Sequence, residues 1–266
     1  MKEIKKIKLF VKNHEKAHEI ASKVEKLLLE NNFIITEDTP DLALAIGGDG
    51  TFLKMATALE FNDEIYYAGI HAGTLGFLQE IKPEELEAFV NVIKKGTFKV
   101  KEKQMEEIIV NTEKETYQRY ALNEIVLRRE DLRTAKLSLY IEEDLLEDYA
   151  GDGLLISTTT GSTAYNLNYG GSMVHHALDT LQIVPIAPLN NRMYHNFMNS
   201  IVLPSDSLIV LIPNKKSQNI SILFDGKETT YKNVVKIKIK TGAKKMKCIR
   251  MHPYNDMKVI HDKFLK

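Results

Sequence analysis

The 266-residue sequence has little cysteine, no excess of either charge and no long apolar run. Its single cysteine, Cys248, cannot form an internal disulfide bond and is a poor basis for a structural zinc site, so a reducing compartment is expected. Lys plus Arg and Asp plus Glu both number 36, and this balance disfavours a general nucleic-acid binder. The basic segment 1–16 has too few apolar residues for a signal peptide or a membrane span, which predicts a cytoplasmic enzyme or binding protein.

The composition is that of an ordinary globular protein, with 44% hydrophobic and 27% charged residues. At roughly 150 residues per domain, the length predicts about two domains. Short apolar runs alternate with helical spacing in 1–98, which predicts an α/β domain. Period-two alternation in 99–252 predicts a β-rich domain, and helical spacing in 253–266 predicts a C-terminal helix that returns to the first domain.

Within the first domain, Asn13 is a suitable N-cap for the first helix, and Pro83 and Gly96 are suited to the two ends of a later helix. Apolar runs predict strands of the first domain at 7–11, 33–35, 42–46 and 65–70. The β-rich domain has strand patterns at 108–110, 125–127, 137–141, 154–156, 208–212, 220–223 and 235–239.

The segment GGDGT at 47–51 lies between a buried strand pattern and a helical pattern. Glycines let a backbone approach a ligand closely, and a helix N-terminus favours phosphate. An aspartate there would repel phosphate unless it binds a metal or accepts a proton, so Asp49 requires a chemical explanation. On these residues alone, a tight turn in which Asp49 caps the helix is an equal alternative.

A second segment has six Ser or Thr residues among positions 157–163. A strand that leads into small hydroxyl residues around a glycine can present amides and hydroxyls to a ligand, and Tyr165 can stack on a ring. The alternative is a polar loop. Asn123 and Glu124 are a weaker signal, because such a pair at a strand start is more often an exposed turn.

Two further patterns are interpreted as accidental. His14 and His18 fit HExxH, but they lie at the exposed edge of a predicted helix and no third ligand is indicated, so no metal site is expected. Gly48 and Gly50 begin a GxGxxG pattern whose third position is Leu53. The Rossmann and Walker phosphate-binding patterns are thus excluded.

Four segments, taken together and in order, resemble the NAD kinase family: GGDGT at 47–51, HAGTLGFL at 71–78, LNE at 122–124 and GDGLLISTTTGSTAYNLNYGG at 151–171. GGDG alone is shared with diacylglycerol-type lipid kinases, whereas the last segment is specific to the NAD kinase pattern. The resemblance implies transfer of the ATP γ-phosphoryl group to the adenosine ribose 2′-hydroxyl of NAD, with a divalent ion, Mg²⁺. It also implies an α/β domain, a β-rich NAD-binding domain and a homotetramer or homodimer, with no nucleic-acid or membrane partner.

The resemblance assigns Asp49 as the general base, with Gly50 beside it, and assigns Asn123 and Glu124 to the adenosine ribose. It places Phe77 near the adenine. Further residues that match the family's nucleotide-binding segments are Asp152, Ser162, Thr163, Ala164, Tyr165, Asn166, Asn168 and Asp225. Residues 190–194 resemble a segment that approaches a neighbouring subunit.

Three departures from the family pattern stand out: Thr159 replaces a usual proline, Ala150 a frequent arginine and Asn168 a frequent serine. Thr159 predicts a less rigid loop, and Ala150 removes one contact near the ligand phosphates. Two other functions remain open, a lipid or sphingoid kinase and a non-catalytic NAD(P)-binding regulator. The sequence also leaves open ATP against polyphosphate, and NAD against NADH.

Overall fold

The computed structural model describes residues 2–73, 76–131, 133–214, 218–251 and 256–265. Thr74 and Leu75 of the HAGTLGFL segment, and the start of the predicted C-terminal helix at 253–255, lie outside these residues. The chain forms two compact units, one of Met1–Lys103 with Lys245–Lys266 and one of Gln104–Lys244. No helix within the described ranges is long and apolar enough to cross a membrane.

The helices are α1 (Glu15–Glu30), α2 (Asp49–Ala58), α3 (Leu86–Lys95), α4 (Tyr165–Asn168) and α5 (Asp256–Phe264), with 3₁₀ turns at Pro83–Glu85 and Thr160–Thr163. The strands are β1 (Lys6–Val11), β2 (Ile34–Ile35), β3 (Leu42–Gly47), β4 (Tyr66–His71), β5 (Lys99–Thr112), β6 (Thr116–Ala121), β7 (Glu124–Arg129), β8 (Ala135–Ile141), β9 (Asp144–Gly151), β10 (Gly153–Thr158), β11 (Thr180–Ile186), β12 (Ile201–Pro204), β13 (Ile209–Pro213), β14 (Gln218–Phe224) and β15 (Lys227–Arg250).

The first unit is built on a parallel sheet in the order β2-β1-β3-β4, completed by the end of β15. Lys247 and Cys248 pair with Tyr66 and Tyr67 of β4. Every residue of β3 is buried, as its continuous apolar run predicts for a strand covered on both faces. The α/β prediction for this part of the chain is confirmed.

The ends of the helices in this unit agree only in part with the predictions made from the sequence. Gly96 is the left-handed C-cap of α3, with φ 64°, and Pro83 opens the turn that leads into that helix, as predicted. The prediction that Asn13 caps α1 is wrong, because His14 is the N-cap residue and forms no side-chain capping bond.

The second unit is β-rich and antiparallel, which confirms the prediction of fold class. One run of strands is β12-β11-β10-β7-β14-β15, while β8 joins β13 to β9. The sequence patterns did not indicate β6, β9, β11 and β12; β6 and the first five residues of β9 are largely exposed and carry polar side chains that mask alternation. Apolar side chains fill a shared core that includes Ile108, Leu127, Leu139, Tyr149, Ile156, Leu211 and Ile237.

Candidate functional site

The turn between β3 and α2 depends on Gly47. A Cβ on this residue would lie 2.5 Å from Thr51 Oγ1, so only glycine fits. Gly48 is the extended N-cap of α2, and Asp49 is the first helical residue. The alternative in which Asp49 caps the helix is therefore wrong, and Gly50 belongs to the helix.

The carboxylate of Asp49 is held by three donors. The backbone N–H of Phe77 donates to Oδ2 at 3.1 Å, and that of Leu78 donates to Oδ1 at 2.9 Å. The ammonium group of Lys263, in α5, donates to Oδ2 at 2.8 Å. A carboxylate has about four acceptor sites, so roughly one remains for a further donor.

Gly76 and Gln79 keep this carboxylate and its turn in place. A Cβ on Gly76 would lie 2.2 Å from Asp49 Oδ1, which leaves no space for any other residue while the carboxylate stays where it is. The fully buried Gln79 donates from Nε2 to the Gly48 carbonyl at 2.6 Å. Neither residue was among the sequence candidates, because nothing local connects them with Asp49.

In the second unit, Asp225 organises the segment that contains Asn123 and Glu124. Its carboxylate accepts the backbone N–H groups of Leu122, Asn123 and Glu124 at 2.8, 2.7 and 3.3 Å. Burial raises the pKa of Asp225 to about 6, although these three donors lower it. Asp225 thus fixes the backbone on which two candidate ribose-binding side chains stand.

The interpretation of Asn123 and Glu124 as an exposed turn is wrong, since each is only 7% exposed. Burial, and then the charge of Asp225, raise the pKa of Glu124 to about 8, while the backbone N–H of Tyr165 lowers it. One oxygen of each side chain, Asn123 Oδ1 and Glu124 Oε2, is buried and has no hydrogen-bond partner among the residues that the structure describes. Both oxygens are able to accept a bond from a ligand hydroxyl.

The Ser/Thr segment packs directly on Asn123. The Thr158 N–H donates to the Asn123 carbonyl at 2.9 Å. A Cβ on Gly161 would lie 2.1 Å from the same carbonyl oxygen, so the segment needs glycine there. The structure therefore brings together the two motifs of this unit, which are separated in sequence.

The predicted loss of rigidity at Thr159 is offset by hydrogen bonds. Its hydroxyl donates to the Leu178 carbonyl at 2.5 Å and accepts the Thr180 N–H at 3.0 Å. These bonds tie the loop to the start of β11. Ala150, which stands where the family often has arginine, is fully buried. The Asn196 side chain hydrogen-bonds to both the N–H and the carbonyl of Ala150.

Tyr165 and Asp152 line a cavity of about 200 Å³. The Tyr165 ring packs edge-on against Tyr169, with centroids 4.8 Å apart, and their hydroxyls lie 2.9 Å apart. Arg128 also lines the cavity. Arg129 lines it too, so the cavity has an aromatic wall with one anion and two cations, which suits a planar polar ligand.

The other candidates in this segment divide by exposure. Ser162 and Asn166 are buried and bond to nearby backbone: the Ser162 hydroxyl accepts the N–H of Val174, just beyond the segment, at 3.1 Å, and the Asn166 amide donates to the Ser162 carbonyl at 3.1 Å. Asn168 is exposed, and Thr163 and Ala164 are partly buried. Asn166 and Ser162 thus shape the loop.

A third carboxyl, which the sequence analysis did not single out, lies near Glu124 and Asp225. Glu106 of β5 is completely buried, and within the described part of the chain neither of its carboxyl oxygens has a hydrogen-bond partner. Burial, then the charges of Asp225 and Glu124, raise its pKa well above the usual range. The environment of Glu106 thus favours its neutral form.

We expect Glu106→Gln to reduce the loss of stability at high pH. In the unfolded chain Glu106 ionises near pH 4.5, so its folded, neutral form stabilises fully below that pH and less as the pH rises. The loss is about 1.4 kcal/mol per pH unit while Glu106 stays protonated only when folded. Chemical denaturation between pH 6 and 9 measures it, with Glu107→Gln as the control. Parallel pH curves for wild type and Glu106→Gln would contradict the assignment.

His14 and His18, the two ends of the HExxH pattern, are both exposed on α1. Within the described ranges, no group of three or more His, Cys, Asp or Glu side chains is arranged to hold a metal ion. The expectation that this pattern is not a metal site stays a prediction.

Family models match both parts of the chain. Residues 12–98 match the ATP-NAD kinase N-terminal domain, and residues 122–251 match the ATP-NAD kinase C-terminal domain. The NAD kinase of Finegoldia magna is 37% identical over 237 residues, 86% of each chain. NAD kinase 1 of Bacillus cereus is 33% identical over 265 residues, 98% of each chain.

Two solved structures share the fold. Yeast NADH kinase complexed with NADH superimposes with a TM-score of 0.85 at 19% identity, covering 100% of this chain and 88% of that one. An NAD kinase from Archaeoglobus fulgidus in complex with ATP gives a TM-score of 0.73 at 19% identity, covering 92% of each chain.

Proposed function

Because the chain belongs to the NAD kinase family and is a phosphotransferase, we propose that it transfers the γ-phosphoryl group of ATP to the adenosine ribose 2′-hydroxyl of NAD, giving NADP. The observation that carries this proposal is the fixed carboxylate of Asp49 at the start of α2. Residues 1–98 with 253–266 would supply the phosphoryl-transfer turn, and 99–252 the residues that bind NAD.

Asp49 is proposed as the general base. A ribose hydroxyl is a poor nucleophile at neutral pH, and a positioned carboxylate that accepts its proton makes it a better one. As the 2′-oxygen bonds to the γ-phosphorus, the bond from that phosphorus to the β–γ bridging oxygen breaks, the proton passes to Asp49, and ADP leaves. The acceptor site left on the Asp49 carboxylate is the place for the 2′-hydroxyl.

The donor polyphosphate is proposed to lie at the N-terminus of α2, where the helix dipole favours an anion. We assign Mg²⁺ to the substrate, as Mg-ATP, because Mg²⁺ is commonly held by phosphates with only one or two protein carboxylates.

In the second unit, Asn123 and Glu124 are proposed to accept hydrogen bonds from the ribose hydroxyls through Asn123 Oδ1 and Glu124 Oε2. Tyr165 is 39% exposed and is proposed to stack on a ring of NAD, with Asp152 beside it. The remaining proposed contacts are Gly50 and Phe77 in the first unit and Ser162, Thr163, Ala164, Asn166, Asn168 and Asp225 in the second.

One assay tests the function. Purified protein is incubated with Mg-ATP and NAD, and NADP is measured with a dehydrogenase that accepts only NADP. Parallel reactions replace ATP by polyphosphate or NAD by NADH, and a third offers diacylglycerol or sphingosine as acceptor. NADP formation supports the proposal. Lipid phosphorylation would contradict it and support the lipid kinase. NAD binding without any turnover would contradict it and support the non-catalytic regulator.

We also propose a homotetramer or homodimer and expect it to depend on the stretch 183–202, which runs from β11 into β12. Met193 is 81% exposed, and Met198 and Val202 are 52% and 48% exposed, an apolar surface suited to a second copy. Sedimentation should show a species larger than 30.3 kDa that Met193→Asp shifts toward the monomer. Leu145→Asp, which changes an exposed apolar residue elsewhere, is the control. A 30.3 kDa species alone at micromolar wild-type protein would contradict the expectation.

A further inference from the structure

The last helix of the chain contributes a cation to the proposed catalytic turn. Lys263 of α5 donates from Nζ to Asp49 Oδ2 at 2.8 Å, across 214 positions of sequence. The two side chains are 24% and 27% exposed. Both are partly shielded from water, so their attraction is weakened less than that of a fully exposed pair.

The same ammonium group lies over an aromatic ring. Lys263 Nζ is 4.3 Å from the centroid of Phe77, and the Phe264 ring is 6.0 Å from that of Phe77. Phe77 in turn donates its backbone N–H to Asp49. Lys263, Phe77 and Asp49 therefore contact one another pairwise. Each of these contacts restricts the positions of the groups that it joins.

These contacts act on the position of Asp49 more than on the stability of the fold. The carboxylate already accepts two backbone N–H groups, so it does not need Lys263 to avoid an unsatisfied buried oxygen. The helix has its own apolar anchor, Val259, which is 6% exposed. A partly exposed ion pair adds little to the free energy of unfolding.

We propose that Lys263 is a positioning residue for phosphoryl transfer, which holds Asp49 Oδ2 so that the remaining acceptor site of the carboxylate meets the substrate hydroxyl. This inference rests on the proposed role of Asp49 as the base. Lys263 itself takes no proton from the substrate. Loss of the ammonium group leaves the carboxylate held by its two backbone hydrogen bonds alone, which allow it a wider range of orientations, and misplaced catalytic groups lower kcat.

The test compares Lys263→Met, Lys263→Arg and Lys258→Met. Lys258 is exposed on the same helix, so its replacement controls for a change in α5. We expect Lys263→Met to lower kcat roughly tenfold, with the KM values for NAD and ATP changed less than about threefold. Lys263→Arg keeps the cation and should restore most of kcat. Thermal unfolding of each variant shows whether the fold is retained.

A double-mutant cycle with Asp49→Asn identifies the partner through which Lys263 acts. In the Asp49→Asn background, Lys263→Met should change kcat by less than about twofold. A tenfold loss that persists in that background, or a raised KM for ATP with unchanged kcat, would overturn the positioning role and leave Asp49 as base intact. An unchanged kcat in Asp49→Asn alone would instead refute the base, and this inference with it.

Discussion

Replacement of Asp49 by asparagine is expected to lower kcat by about 10² to 10⁴, the usual contribution of a positioned general base. Asparagine keeps the size of the side chain but removes the basic oxygen, so the NAD dissociation constant should change by less than about tenfold. Steady-state kinetics give kcat, and calorimetric titration with NAD gives the dissociation constant. The comparison separates a catalytic role from a binding role.

Two results would contradict this assignment in different ways. A near-normal kcat in Asp49→Asn would show that the base is wrong. Loss of NAD binding would show that Asp49 binds the ligand. The proton of the ribose 2′-hydroxyl would then pass to water or to the phosphate itself. Unfolding curves must be recorded beside the kinetics, because asparagine can accept only one of the two backbone N–H groups through its oxygen.

Gly76→Ala is expected to lower kcat roughly 10²-fold while the protein still folds. The added Cβ would lie 2.2 Å from Asp49 Oδ1, and the atom it meets is the end of a side chain, which can move. The carboxylate would shift away and lose its bond from Leu78, at a cost of about 1 to 3 kcal/mol in the free energy of unfolding. A displacement of about 1 Å at a catalytic group is enough for such a loss of rate.

Gly73→Ala is the matched control for this variant. It lies three positions earlier in the same connection, and a Cβ there meets no atom of the described residues within 4 Å. Its kcat should stay close to that of the wild type. Equal losses in both variants would show that the connection as a whole is sensitive to alanine. Normal turnover in Gly76→Ala would show that the position of the Asp49 carboxylate does not limit the reaction.

Local sequence patterns predicted the features that depend only on the apolar pattern and backbone preferences of neighbouring residues. The buried run 42–46, followed by glycines and a helical pattern, was enough to place Asp49 at a strand-to-helix junction. In the same way, the Pro83 and Gly96 positions follow from backbone preferences alone. Such features need no knowledge of what packs against them.

The contacts around the candidate site could not be deduced from local sequence patterns, because the partners are distant in sequence. Asp225 fixes the backbone of Asn123 from 102 positions away, and burial of Glu124 depends on this arrangement. Lys263 meets Asp49 only because the last helix packs on the first unit. Glu106 stands in an ordinary strand pattern, and nothing in its neighbours indicates that its side chain is enclosed.

The order of the chain has a consequence for its synthesis. The parallel sheet of the first unit gains its last neighbour, Lys247 and Cys248 beside β4, only from residues translated after all of Gln104–Lys244. Until then residues 66–68 of β4, buried in the finished protein, present an unpaired edge of the kind that aggregates, whereas Ile81 already bonds to the backbone of Gly69 and His71. A nascent chain that stops before residue 245 therefore contains the proposed base Asp49 but lacks Lys263. Its first unit still has an unpaired strand edge that must be protected from aggregation.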